Sequence, residues 1–261
     1  MIDNKRPIGV FDSGIGGVSV LRELAALAPY ENVIYYGDSK NAPYGEKSAE
    51  EVRALTLDAV KKLIDLGAKA LVVACNTATG AAVRSLRQMY EDMPIVGIEP
   101  AIKPAVLWGE NGLGKTDVSS KILVMATPVT ISQPKFALLM EEYKDRADII
   151  PLPCPHLAEL IEKGDPDSAE IKEYLKKLLK PYSAFDSVVL GCTHYPFVRK
   201  HIEAFLPNAK VFDGGGGTAK EAIRRIEAAG LANEKKEKGK IIFISSREGE
   251  TLDLYRKFFE M

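Results

Sequence analysis

Short apolar runs alternate with amphipathic stretches along most of the chain. A strand that is buried on both faces of a parallel sheet is almost continuously apolar. Such runs predict strands at residues 8–11, 33–36, 70–74, 95–98, 122–126, 148–152, 187–191 and 241–244. Between them, apolar side chains follow the i, i+3, i+4, i+7 spacing of one helix face, as in Ile171, Tyr174, Leu175 and Leu178. This alternation predicts a parallel α/β sheet covered by helices on both faces.

The two halves of the chain repeat this pattern. Residues 8–14 and residues 122–128 each form an apolar run that ends in a side-chain oxygen and a turn residue. We therefore expect two similar α/β domains, each a mainly parallel sheet flanked by helices, with a functional site in the cleft between them. The first domain is predicted to hold residues 1–98 together with 210–261, and the second to hold residues 99–209.

Length, charge and cysteine content narrow the class of protein. The 261 residues allow one large or two modest domains, and the net charge of −1 gives no reason to expect nucleic acid or an anionic membrane as a partner. Residues 1–7 lack the apolar core of a signal peptide, and no apolar segment is long enough to cross a bilayer. Three cysteines without framework spacing favour a reducing compartment, so we expect a cytoplasmic protein.

Two of the cysteines occupy equivalent places, each directly after a predicted strand. Cys75 precedes an amide and a hydroxyl residue, and Cys192 precedes Thr193 and His194. Ligand sites of parallel α/β proteins lie just beyond the carboxyl ends of their strands. One cysteine there would more simply be buried packing, but two at equivalent strand ends favour acid/base groups on opposite sides of one small substrate. A thiol pKa of about 8.5 makes both thiol and thiolate accessible for such proton transfer.

A glycine-rich turn, Asp12-Ser13-Gly-Ile-Gly-Gly, joins the first predicted strand to a predicted helix at residues 18–27. Such a turn brings backbone N–H groups close to an anion, although a capping role for Asp12 is the simpler alternative. The dinucleotide-binding fingerprint requires a further glycine where Ser19 stands, which argues against that ligand. The histidines lack metal-ligand spacing and no CxxC occurs, so no metal site is predicted.

Residues 109–116 match the P-loop expression, but their surroundings do not fit a phosphate site. A P-loop needs a strand before the glycine-rich turn and a helix after it. Here residues 101–108 predict a helix, and the stretch between Thr116 and the next strand is too short for another. Nucleotide binding is therefore not predicted.

Five motifs, in this order along the chain, together resemble the glutamate racemase family. They are Asp12-Ser13-Gly-x-Gly-Gly, Pro43-Tyr44-Gly45, Ala74-Cys75-Asn76-Thr77, Gly97-Ile98-Glu99-Pro100 and Gly191-Cys192-Thr193-His194-Tyr195-Pro196. The combination of the two cysteine motifs is the most specific part. The resemblance implies a cofactor-independent enzyme that interconverts L- and D-glutamate and supplies D-glutamate for bacterial peptidoglycan. It also implies two α/β domains related by a pseudo-two-fold axis.

Matched residue by residue, the resemblance implies roles for positions of this sequence. Cys75 corresponds to the base that takes the α-proton of D-glutamate, and Asp12 to its helper. Cys192 corresponds to the base for L-glutamate, and His194 to its helper. Glu162 falls where the family has a further acidic residue, and we include it in the catalytic set. The implied substrate contacts are Ser13, Asp38, Pro43, Tyr44, Gly45, Asn76, Thr77, Thr127, Thr130 and Thr193.

Other functions remain open at this level. A related aspartate or hydantoin racemase would share the two cysteines, and spacing does not decide between side chains of the substrate. A non-catalytic two-lobe amino-acid-binding module would also pair two α/β units, and a thiol hydrolase would use Cys192 with His194 and leave Cys75 idle. A small-molecule partner, glutamate, is expected; a homodimer is compatible with the sequence, although no apolar helix face identifies one.

Overall fold

The computed structural model describes residues 4–115, 119–234, 237–247, 249 and 251–261. The strands are β1 (Ile8–Asp12), β2 (Val33–Gly37), β3 (Ala70–Val73), β4 (Ile95–Gly97), β5 (Lys121–Ala126), β6 (Asp148–Pro153), β7 (Ser187–Leu190), β8 (Lys210–Asp213) and β9 (Ile241–Ser245). They form two sheets, with the order β4-β3-β1-β2-β9 in the first and β6-β5-β7-β8 in the second. Each recorded pairing is parallel, as the sequence predicted.

Helices connect the strands and cover the sheets. They are α1 (Val18–Leu27), α2 (Ala49–Asp65), α3 (Asn76–Met89), α4 (Ile102–Gly112), α5 (Pro128–Ser132), α6 (Pro134–Tyr143), α7 (Leu157–Glu162), α8 (Ala169–Leu179), α9 (Arg199–Phe205), α10 (Gly215–Ala228) and α11 (Thr251–Glu260). No helix within the described residues is both long and apolar enough to cross a membrane. The predicted architecture of two parallel sheets flanked by helices is confirmed.

One predicted boundary is wrong. Residues 210–261 were assigned to the first domain, but Lys210–Asp213 is β8 and pairs with β7 in the second sheet. The strand went undetected because Val211 and Phe212 are its only apolar residues, and it lies at the edge of the sheet. The chain then enters α10, which packs against α1, and β9 pairs with β2. We therefore propose the same two domains, with the chain passing from the second domain back to the first at Gly214.

Capping and amphipathic faces explain the helices that the sequence predicted. Ser48 caps α2 by accepting a hydrogen bond from the Glu51 N–H at 3.1 Å, and Ser168 caps α8 in the same way. In α8, Ile171 and Leu175 are fully buried, in keeping with the predicted apolar face. Burying one such side chain stabilises the fold by about 1.5–3 kcal/mol.

The two sheets share a hydrophobic core. One cluster of buried side chains contains Val10 and Tyr35 from the first sheet together with Met125 and Leu190 from the second. Because this cluster crosses between the sheets, the two sheets pack against a common set of side chains in this arrangement.

The P-loop match has a different structural explanation. Gly109 and Gly112 lie in the last turn of α4, so the motif follows a helix rather than a strand. Lys115, its lysine, forms a 2.6 Å ion pair with Asp186 instead of facing an open anion site. Thr116 lies outside the described residues.

Candidate active site

The carboxyl ends of strands from the two sheets meet, and direct hydrogen bonds join them. Thr193, after β7, donates from Oγ1 to Oδ2 of Asp12, the last residue of β1, at 3.0 Å. Glu162, at the end of α7, accepts from the backbone N–H of Ile15 at 2.8 Å. The predicted residues from the two units therefore face one another across a single site.

Asp12 is the central residue that the first unit contributes to the site, and it has no exposed surface. Its Oδ1 accepts a hydrogen bond from the Gly14 N–H at 3.0 Å. The Tyr35 hydroxyl holds Gly14 from the other side by donating to its carbonyl oxygen at 2.5 Å. Burial raises the pKa of Asp12 from 3.8 to about 6, while the nearby His194 and the hydrogen bonds oppose this rise. Asp12 is therefore a carboxylate at neutral pH whose proton affinity is close to that needed for proton transfer.

Gly14 is required by the closeness of the two units. A Cβ at this position would lie 1.9 Å from Glu162 Oε1. The turn after β1 can therefore approach Glu162 only where it has no side chain, which explains one glycine of the Asp-Ser-Gly motif.

Cys75 is the N-cap residue of α3 and is 5% exposed. Its Sγ accepts a hydrogen bond from the Ala78 N–H at 3.4 Å. Burial raises the pKa of the Cys75 thiol to about 12, and the negative charges of Asp12 and Cys192 add to this, whereas hydrogen bonds from Ala78 and Ser13 oppose it. In this closed arrangement Cys75 is a thiol.

Cys192 has a different electrostatic environment. His194 Nδ1 lies 3.6 Å from its Sγ, and the opposite ring nitrogen, Nε2, lies 2.6 Å from Glu162 Oε1. Burial alone would lower the pKa of His194, but its hydrogen bonds with Cys192 and Glu162 raise it well above the usual value. An imidazolium therefore faces the Sγ atom of Cys192. The two thiols of the site are thus placed in unlike surroundings.

The third cysteine does not join this pair as a reactive group. Cys154 is 2% exposed, and its Sγ lies 3.4 Å from the Leu152 carbonyl oxygen. Burial raises the pKa of Cys154, with a further contribution from the charge of Cys192. Its side chain belongs to the same buried cluster as that of Cys192.

The loop after β2, which holds several of the predicted substrate contacts, lies against the second unit. Tyr44 donates its hydroxyl to Asp38 Oδ2 at 2.6 Å, and Asn41 donates its amide to both oxygens of Asp38. Gly45 lies so close to Thr127 that a Cβ would approach its side chain to 2.7 Å. Asp38 thus shapes the loop of Pro43, Tyr44 and Gly45, and its direct contact with substrate stays a prediction.

Hydroxyl groups form a second junction between the units. Thr77, in the first turn of α3, lies 2.9 Å from Thr130 and 3.2 Å from Thr127, measured between their Oγ1 atoms. Beside them, Asn76 is 6% exposed and its Oδ1 has no hydrogen-bond partner among the described residues. A buried acceptor without a partner is costly, so this oxygen is suited to a donor such as a substrate ammonium.

A possible metal-binding group lies at the surface rather than at the thiols. Potential ligand atoms of Glu46, His156 and Glu159 lie within 4.8 Å of one another, and all three residues are exposed. His156 Nδ1 is 3.0 Å from Glu46 and 3.3 Å from Glu159, so contacts among the three side chains account for the cluster.

Two buried thiols thus lie at strand ends of different parallel sheets, one near the Asp12 carboxylate and the other beside the His194 imidazole. A model of the Asp/Glu/hydantoin racemase family matches residues 8–222. A glutamate racemase of Clostridium perfringens is 48% identical over 259 residues, which cover 98% of this chain and 96% of that one.

Solved structures are similar over almost the whole length. The crystal structure of glutamate racemase from Francisella tularensis in complex with D-glutamate has a TM-score of 0.84 and 27% identity, and covers 99% of this chain and 95% of that one. The Escherichia coli glutamate racemase, solved with L-glutamate and the activator UDP-MurNAc-ala, has a TM-score of 0.81 and 28% identity, covering 97% and 95%. The chain belongs to the Asp/Glu/hydantoin racemase family, as its motifs indicated. It is therefore a racemase, an enzyme of the isomerase class.

Proposed function

We propose that this racemase interconverts L- and D-glutamate by two-base proton transfer at Cα, with Cys75 and Cys192 on opposite faces of the substrate. The observation that carries the proposal is the unlike environment of the two thiols, since one lies beside an imidazolium and the other has a pKa near 12. A two-base racemisation needs one thiolate and one thiol at the start of each turnover.

From L-glutamate, the Cys192 thiolate removes the α-proton, and the Cys75 thiol delivers a proton to the other face. In the opposite direction their roles exchange, and Cys75 must first lose its proton. Asp12, with a pKa of about 6, is the buried carboxylate whose charge acts on Cys75 and is suited to help this transfer. His194, held by Glu162, provides the corresponding help for Cys192.

The carbanion-like transition state must also be stabilised by fixed dipoles. An acid/base pair contributes typically about 10²–10⁴-fold to a rate. The free N–H groups at the N-terminus of α3 are suited to the α-carboxylate, with Ser13, Thr77 and Thr193 as hydroxyl donors. Asn76 Oδ1, the acceptor without a partner, is suited to the ammonium group.

Substrate entry requires the two units to separate. Cys75 is 5% and Cys192 is 8% exposed, so the reacting thiols are covered in this arrangement. Exclusion of water after closure strengthens each electrostatic interaction inside the site. We propose that the hydroxyl junction of Thr77 with Thr127 and Thr130 forms when the units close over substrate.

Glutamate is favoured over aspartate because the relatives that share 48% identity over nearly the whole chain carry the name glutamate racemase. The use of D-glutamate for peptidoglycan in the cytoplasm is the role that the motif resemblance implies, and it belongs to the same proposal.

The test is racemisation of L-glutamate by the purified protein, followed by circular dichroism without added cofactor and compared with L-aspartate. Cys75→Ala and Cys192→Ala should each abolish turnover, while Cys154→Ala, a matched buried thiol of the second unit, should retain it. Faster turnover of L-aspartate than of L-glutamate would show that aspartate is the substrate instead. Binding of glutamate without turnover would favour a binding module, and wild-type turnover in either single variant of the catalytic pair would refute the two-base scheme.

A further inference from the structure

Gln133 crosses from the second unit to the first turn of α3, whose N-cap residue is Cys75. We propose that Gln133 is a positioning residue that holds this turn, and with it the Cys75 thiol, at the distance from the second unit that proton transfer requires. The inference rests on the proposed function, because it concerns the same pair of thiols.

The backbone of Gln133 is held on both sides. It ends α5 and begins α6, where its carbonyl accepts the Phe136 N–H at 3.0 Å. Pro134 follows directly as the first residue of α6, which restricts the backbone further. The Gln133 side chain therefore extends from a backbone that is fixed at the junction of α5 and α6.

The side-chain amide is buried at 6% exposure and contacts α3 in two ways. Its Nε2 donates a hydrogen bond to the Thr77 carbonyl oxygen at 3.0 Å. Its Oε1 lies against Gly80, so closely that a Cβ there would be 1.6 Å away. The amide therefore fits a site on α3 that exists only because position 80 lacks a side chain.

These contacts reach the reacting thiol through one helical turn. Cys75 Sγ accepts from the Ala78 N–H at 3.4 Å, one residue beyond Thr77. The hydroxyl of Thr77 lies within hydrogen-bond distance of the Thr130 hydroxyl, at 2.9 Å. Thr77 is therefore bound to the second unit twice, by its side chain through Thr130 and by its backbone carbonyl through Gln133. Misplacement of a reacting group by about 1 Å can lower a rate by roughly 10²-fold.

A double-mutant cycle between Gln133→Ala and Gly80→Ala tests the inference. Each single variant should lower kcat by about tenfold to 10²-fold, with KM changed less than about threefold, because the amide contacts the helix and not the substrate. The double variant should be no slower than Gln133→Ala, since the added methyl group then has no amide to displace. kcat/KM should fall equally in both directions because the equilibrium between the enantiomers is unchanged.

Gln133→Glu tests the amide donor itself. It keeps the size of the side chain but removes the N–H donor to Thr77 and places a carboxylate oxygen against its carbonyl. We expect a lower kcat together with a lower melting temperature, because a buried carboxylate then faces a carbonyl oxygen, so kcat is compared at a temperature well below both melting temperatures. If Gly80→Ala alone does not fold, recovery of folding in the double variant gives the same evidence of direct contact.

Losses that multiply independently in the double variant, or a wild-type kcat in both Gln133→Ala and Gln133→Glu, would overturn the inference. A rise in KM with constant kcat would also overturn it, because that pattern indicates a substrate contact. Absence of glutamate racemisation by the wild-type protein would instead refute the proposed function, so the two failures are distinguishable.

Discussion

Asp12→Asn should make the protein more stable at neutral pH while impairing catalysis. Burial raises the pKa of Asp12 from 3.8 in its ordinary state to about 6. The folded protein holds this proton more tightly than the unfolded chain. The protonated carboxyl therefore stabilises the fold fully below pH 3.8, and this stabilisation is lost as the pH rises through about 6. At neutral pH the buried carboxylate therefore costs about 3 kcal/mol of folding free energy relative to its protonated form.

Asparagine avoids this cost because it does not titrate and preserves the shape of the site. Its oxygen can accept the Gly14 N–H, and its amide can donate to the Thr193 hydroxyl, which now rotates to accept. The variant should exceed the wild type in free energy of unfolding by about 1 kcal/mol at pH 4.5 and by about 3 kcal/mol at pH 7.5. Its racemase activity should fall because the negative charge next to Cys75 is lost.

Urea denaturation of both proteins at several pH values, combined with racemase assays, measures the two effects separately. Other titrating groups are common to both proteins, so their contributions largely cancel in the difference. A stability difference that does not change with pH would refute the reasoning, as would an Asp12→Asn protein that is less stable at neutral pH. Full activity in the variant would remove Asp12 from the mechanism.

Two other substitutions test supporting contacts. Glu162→Gln removes the charge that keeps His194 protonated, so the alkaline limb of the kcat profile should move to lower pH by about one unit or more; an unchanged limb would contradict this role. Tyr35→Phe deprives the buried Gly14 carbonyl of its 2.5 Å donor, so the free energy of unfolding, measured in urea, should fall by about 1–3 kcal/mol. No change in stability would show that this hydroxyl contributes nothing to the turn.

The fold was predictable wherever a strand is mainly apolar. The predicted runs agree with the observed strands to within one residue at either end, because apolar residues dominate each of them. The failure at β8 has the opposite cause, since only two of its four residues are apolar.

The site was predictable from strand ends and only partly from side-chain chemistry. The rule that ligands bind beyond the carboxyl ends of parallel strands predicted one site for Cys75 and Cys192, and the ends of β1 and β7 do meet through Asp12 and Thr193. Glu162 entered only through the family resemblance, because nothing local to α7 indicates that its last residue reaches His194 and the Ile15 N–H.

Two supporting residues had no signal in the sequence at all. Tyr35 has the pattern of an ordinary core residue of β2, yet its hydroxyl holds the Gly14 carbonyl. Gln133 is a polar residue between two short helices, and its partner Thr77 lies 56 positions away. Such contacts depend on how the two units meet, which hydrophobic periodicity does not encode.

The position of deuterium in the first turnovers of L-glutamate in D₂O tests the central claim most directly. If two thiols act on opposite faces, the D-glutamate formed should carry deuterium at Cα, because its proton comes from Cys75 in exchange with solvent. The remaining L-glutamate should still carry protium, because Cys192 returns the proton that it removed. Early D-glutamate that retains protium would contradict the account, and so would deuterium that enters both enantiomers at the same rate.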